Sequence, residues 1–234
     1  MLPVREKVEH VAVRIRFEKT GMLQYISHLD LHRTFCRLLV RCGVPVWYSE
    51  GFTPHPRLVF ATPLSVGAES VCEFLDVFVV GTAEKIDTDV LRWKLRDTGI
   101  DGLVVTDVYL PETKFSTITD SEYTVCIHTD GASEALAAAC DAVLHTAPLT
   151  VLKRTKSGEK DVDIAPQIKK IAVTFEDGKL VIRARLTADS ANFLNPEYLI
   201  KVLKRDCGVL CGDPTVEAYS ILRTAVLCGE QDFR

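Results

Sequence analysis

The chain has 234 residues, 47% hydrophobic and 26% charged, with a formal net charge of -4 at pH 7. That length holds one large domain or two of roughly 110 residues, and the composition excludes a wholly disordered chain. The opening MLPVREKVEH lacks the apolar core of a leader, and no stretch approaches the roughly 18 uncharged residues of a membrane helix, so a cytoplasmic address without membrane attachment is expected, with the eight cysteines reduced.

The first strand is HVAVRIRF, where Val11, Val13, Ile15 and Phe17 alternate with Ala12, Arg14 and Arg16 at the period of a half-buried strand. Ser27 as N-cap, Asp30 as the capping-box acid and Ile26 placed to staple onto Leu31 predict a helix over 28–42. Leu31, Phe35, Leu38, Leu39 and Cys42 share its inner side, and Gly43 ends it. With three prolines and a glycine, VPVWYSEGFTPHPR (44–57) reads as a defined loop. A short strand at 58–61 and a buried strand at 71–80 follow, then a helix with Ile86, Val90 and Trp93 at helical spacing, then the strand GLVVTDVYL. This order, β-α-β-β-α-β, is the ferredoxin-like arrangement.

Residues 111–121, PETKFSTITDS, are polar and aperiodic, as in a linker. After them come the strand YTVCIH, the helix ASEALAAACDAVLH, the strand LTVLKR and a basic loop at 154–161. IAVTFEDGKLVIRARL is a hairpin turning at Asp177-Gly178, Asn195-Pro196 starts a helix, and TVEAYSILRTAV is the last strand. The expected fold is α+β: two tandem ferredoxin-like (βαββαβ) domains with antiparallel sheets, residues 1–112 and 122–234, joined by 113–121, with an additional strand in the second.

Overall acidity argues against a general attraction to nucleic acid. Yet residues 1–60 and residues 149–186 each hold nine Lys/Arg against five Asp/Glu, a local excess of four. The densest reactive group lies in ISHLDLHRTFCR and WYSEGFTPHPR, which supply His28, Asp30, His32, Arg33, Tyr48, Glu50, His55 and Arg57. Sequence alone does not make these two segments neighbours. His28 and His32 stand at i, i+4 with Cys36 a turn further, a spacing that can serve a metal, but no HExxH accompanies them and packing histidines look the same; no metal is assigned. Asp30 is explained first by capping, and Arg33, Arg37 and Arg41 form either a solvated or an anion-binding stripe. The loop reads equally as a rigid ligand-holding segment and as a stiff connection with Trp47 and Phe52 plugging the core.

Ser27 and Ser49 lie in no nucleophile elbow, and Cys207-x3-Cys211 has Pro214 where a radical-enzyme cluster needs a third cysteine. Neither GxGxxG nor GxxxxGK[ST] occurs, and no cofactor is expected. If the apolar side of the first strand packs on helices, Arg14 and Arg16 lie on the open side with Phe74 and Phe78, an arrangement that stacks RNA bases. Against this stand Asp76 between the phenylalanines and the absence of an RNP-type string.

Over residues 14–70, in the runs SHLDLHR and YSEGFTPHP, and more loosely in DIAPQIKKI at 163–171, the chain resembles the radical SAM-linked family of uncharacterised proteins. The resemblance carries Ser27, His28, Asp30 and Arg33, then Tyr48, Ser49, Gly51, Phe52, Pro54, His55 and Pro56 onto the family pattern, with Thr53 standing where asparagine and Glu50 where glutamine is usual. It implies association with a radical SAM protein, as a free-standing form of a domain otherwise fused to one, and supplies no catalytic residue. The expectation is an accessory protein, not itself an enzyme, that presents a substrate such as RNA. Arg14, Arg16, Arg33 and Arg57 would meet phosphates, and Tyr48, Phe52 and His55 would stack or hydrogen-bond. Two alternatives stay open. One is an RNA-processing or RNA-modifying enzyme using His28 and His55, with Asp30 or Glu50, as acid and base. The other is a structural partner that binds no substrate.

Overall fold

The computed structural model describes residues 8–155, 158–189 and 191–234, and the chain divides into two units. The first takes in the chain up to Val66, Ser70–Phe115 and the terminal Arg234; the second takes in Gly67–Glu69 and Ser116–Phe233. Among the described residues, four α-helices and eleven strands make a mixed α/β fold with mostly antiparallel pairing. None of those helices is long and apolar enough to cross a membrane.

In the first unit the order is β1 (His10–Lys19), α1 (His28–Arg41), β2 (Leu58–Phe60), β3 (Ala68–Val80), α2 (Thr88–Leu95) and β4 (Leu103–Tyr109). Its strands lie β4-β1-β3-β2. Alternation in β1 sets the layers: Val13, Ile15 and Phe17 are buried and form one core with Leu75, Val77 and Val79 of β3 and Leu31, Phe35, Leu38 and Leu39 of α1. The side chains of His10, Ala12, Arg14 and Arg16 therefore take the opposite side of the sheet. Ser27 Oγ accepts the Asp30 N–H at 3.1 Å, and Gly43, at φ 62°, ends α1 in the left-handed region.

Helix α2 buries a different edge from the expected one: Leu91 and Leu95 face the core, while Val90 and Trp93 are exposed, Trp93 by 74%. Asp87 caps this helix through the Val90 N–H at 3.0 Å, and its 8 residues make only about two turns. One i, i+4 leucine pair is enough to bury so short a helix, and Ile86 packs from the turn before it.

In the second unit the order is β5 (Asp120–His128), α3 (Glu134–Leu144), β6 (Thr150–Thr155), β7 (Gly158–Asp163), β8 (Ile168–Glu176), β9 (Lys179–Thr187), α4 (Glu197–Cys207), β10 (Ala218–Cys228) and β11 (Gln231–Asp232). The strands lie β10-β5-β9-β8, with β11 on β10 and β6-β7 as a separate hairpin. The basic loop expected at 154–161 is thus divided between the end of β6 (154–155) and the start of β7 (158–161), residues 156 and 157 lying outside the described ones. Charged residues occupy most β7 positions, which hides its period; the pairing of Val151 with Val162 marks its inner side. The β8-β9 hairpin turns at Asp177 and Gly178, with φ 48° and 77°, as the Asp-Gly pair predicts. Asn195 Oδ1 accepts the Glu197 N–H at 3.1 Å and so starts α4.

Candidate functional site

Residues 45–60 do not form an open loop. The incoming chain pairs with the end of β3 through Trp47 N–H to Phe78 O and Val80 N–H to Pro45 O, and the outgoing chain through Phe78 N–H to Arg57 O. Between these anchors Arg57 N–H reaches Trp47 O, and Ser49 N–H reaches His55 O at 2.9 Å, so residues 47–57 make a small hairpin clipped at its base to the edge of β3. The prolines fit this shape, since neither Pro54 nor Pro56 must donate a backbone hydrogen bond there. At the tip Phe52 is fully exposed, and Gly51 takes φ 141°. Phe52 is therefore no core plug; it is an apolar side chain held out in solvent on a braced finger.

The structure brings this finger to the start of α1. His28 meets the Phe60 ring edge-on at 4.9 Å, and the His32 ring lies 6.3 Å from the same phenylalanine. His32 is half-buried and less basic than a free imidazole, first because of its burial, then because of the charges of His28 and of His55 from the finger. Its Nδ1 lies 3.6 Å from Cys36 Sγ. His55 is exposed, with Nδ1 3.1 Å from Ser49 Oγ and 3.2 Å from Thr53 O. His28 and His32 thus meet beside Phe60, and His55 of the finger lies near enough for its charge to act on His32. Among the described residues no group of three His, Cys, Asp or Glu is arranged to hold a metal ion.

Other expected site residues fall differently. Arg14 is fully buried: it makes two bonds to Asp76, at 2.7 and 2.9 Å, donates to Thr113 and lies 4.3 Å over Phe115. A phosphate cannot reach it, because residues 113–115 cover its end of the outer sheet side; Phe74, 3% exposed, is closed off as well. Arg16 remains exposed, 5.9 Å from the Phe74 ring. Asp30 accepts the Ser27 hydroxyl at 2.7 Å and the Arg33 guanidinium at 3.2 Å, and these bonds hold its carboxyl below the usual range. It is a cap and an anchor for Arg33, poorly suited to act as an acid. Arg41 donates to Thr98 O and so belongs to the scaffold. Tyr48, Glu50 and Arg57 are exposed on the finger. In the second basic segment Arg183 is paired with Glu176, and Arg185 with Asp120 and Glu230.

The outer side of the sheet carries a feature the sequence reading overlooked. His10 stacks on Trp47 with ring centroids 4.1 Å apart and planes 20° from parallel, and meets Phe78 edge-on at 5.7 Å; Arg57 lies 4.4 Å over the Phe78 ring. Extending the β1 alternation back by two from Ala12 would have placed His10 on the side that holds Phe78.

These features define a mixed α/β protein with a braced finger between a histidine cluster and an aromatic ledge. The chain belongs to the bacterial family described as "Uncharacterized protein conserved in bacteria (DUF2344)", whose model matches residues 12–196. Comparison with curated proteins gives no match. Among solved structures it is similar to a chain of a Cbf5-Nop10-Gar1 complex, at 10% identity and TM-score 0.47 over 92% of this chain, which spans about half (48%) of that one. Two others are an unknown protein from Galdieria sulphuraria, at 13% identity, and a glycine cleavage system transcriptional repressor, so described with the qualifier "putative", at 10%. Each has a TM-score of 0.25; 92% of this chain is covered, with 99% and 98% of theirs.

Proposed function

We propose that this protein is an accessory partner of a radical SAM enzyme that binds RNA and presents it, with both units ferredoxin-like. The fold reading is supported by the strand orders β4-β1-β3-β2 and β10-β5-β9-β8, each with its helices in the βαββαβ sequence once the β6-β7 hairpin is set aside. The observation that carries the functional reading is the finger. A fully exposed phenylalanine on a stem bonded to β3 offers a partner a whole aromatic side chain already held in place, so that burying it on binding is favourable and little ordering is needed. Its finger also carries the exposed His55 and Arg57, and the charge of His55 is felt at His32 of α1, where His28 and Arg33 are exposed, so the surface offers stacking, hydrogen bonding and positive charge together.

Recovery of the tagged protein from its own cells at low salt tests this reading. A radical SAM protein and a defined RNA should co-purify, and Phe52→Ser should reduce both while leaving the fold intact. RNA affinity should fall steeply with salt, as phosphate contacts require. A radical SAM protein without RNA would favour a purely structural partnership, and recovery of neither would overturn the proposal. The charges of His28 and His55 acting on His32 favour one second reading, acid-base processing of RNA. Turnover by the pure protein that is lost in His55→Ala, with binding retained, would establish it.

A further inference from the structure

We infer that the outer side of the first unit's sheet, on the other flank of the finger from the histidines, holds a ledge for an unpaired nucleobase, made by His10, Trp47, Phe78 and Arg57. This inference rests on the RNA-binding reading and names a site and a ligand chemistry for it. The four side chains come from three places in the sequence yet form one contiguous surface through the 4.1 Å stack, the 5.7 Å edge contact and the 4.4 Å cation-ring contact. His10, Trp47 and Phe78 are half-buried and Arg57 is exposed, so their inner parts are fixed and their outer parts face solvent.

The register explains why β1 sets no larger side chain opposite the Phe78 ring. Ala12 pairs with Phe78 and His10 with Val80, so the side chain opposite the Phe78 ring is a single methyl group. Two residues further along the same strand Arg14 pairs with Asp76, and there the sheet side is closed. The bridge between Val46 and Val79 turns Val46 into the core and Trp47 outwards. Aromatic faces beside an arginine on the helix-free side of an antiparallel sheet accept a base whatever its identity, because every base has a π-face, while the guanidinium meets the adjoining phosphate. The ligand is therefore single-stranded, and contact to its sequence is weak.

Trp47 itself provides the readout. Only two tryptophans occur in the chain, and Trp93 is 74% exposed on α2, so Trp93→Phe leaves the full-length protein with Trp47 as its sole indole. Titration with a short single-stranded oligoadenylate should quench Trp47 emission, and an abasic oligomer of the same length should not. Trp47→Ala and Arg57→Gln should each weaken oligoadenylate binding about tenfold, and Trp47→Phe should restore most of the loss. Arg57→Gln keeps the fold, since Arg57 is exposed and its backbone bonds remain. Oligoadenylate bound by anisotropy without any change in Trp47 emission would overturn the ledge and leave the RNA reading standing. No binding of either oligomer would overturn both.

Discussion

Ser49 and His55 lock the finger across its width: Ser49 Oγ lies 3.1 Å from His55 Nδ1 and accepts the His55 backbone N–H at 3.3 Å. One hydroxyl thus fixes both the ring and the main chain of the histidine that reaches toward α1. Ser49→Ala removes both contacts and spares the backbone bond from Ser49 N–H to His55 O. The expected cost is about 1 kcal/mol, local to the finger. It should appear as roughly fivefold faster amide exchange at His55 with an unchanged denaturation midpoint. Unaltered exchange at His55 would show that the stem alone holds the finger.

Arg14 and Asp76 make a second pairing of opposite character, an ion pair whose arginine is fully buried. Asp76→Ala removes the carboxylate from that buried pair, leaving the Thr113 bonds in place, and the expected destabilisation is about 3 kcal/mol. Arg16→Ala, on the same strand but exposed, should change stability by less than about 0.5 kcal/mol. Chemical denaturation of the two variants checks the contrast; equal effects would mean that Arg14 is hydrated in solution.

The difference between these two arginines also shows where sequence reading stops. The period of two in β1 places Arg14 and Arg16 on the same side of the sheet, and they are there. Which of them faces water depends on residues 113–115, about a hundred positions away, and no local pattern encodes that. The capping box at Ser27 and the Asp177-Gly178 turn were legible because the chemistry is contained within four residues. Whether the α1 start and the 48–57 segment meet was not legible, since backbone pairing with the edge of β3 decides it. Trp47 and Phe52 were weighed as core plugs on hydrophobicity alone, yet one lies on the outer side of the sheet and the other projects into solvent.

His32 makes stability depend on pH. Burial and the neighbouring histidines lower its folded-state pKa below the ordinary 6.5, so near and below that value the unfolded chain binds more protons than the folded one. Stability should therefore rise with pH through this window and level off above about 6.5–7. The group's contribution is present at pH 7.5 and lost as pH falls. His32→Gln should flatten this part of the profile, measured as denaturation midpoints between pH 5.5 and 7.5. His55→Gln, by removing one repelling charge, should raise the His32 pKa in an NMR titration. A His32 pKa unmoved by that substitution would mean that the finger stands away from α1 in solution.

Cys140 and Cys207 give the last contrast. The Cys140 thiol is buried and in contact with Cys207, and its pKa is pushed up to about 12, first by burial and then by that neighbour. Since the thiolate is the reactive form, Cys140 should be inert to alkylation at pH 8 in the folded protein. Cys211, exposed four residues beyond Cys207, should be labelled first. Peptide mass spectrometry after timed alkylation orders the eight free thiols, and labelling of Cys140 should follow global unfolding, accelerating with denaturant. Native labelling of Cys140 as fast as that of Cys211 would mean that α3 and α4 part readily, and that the contact between the two thiols does little to hold the second unit together.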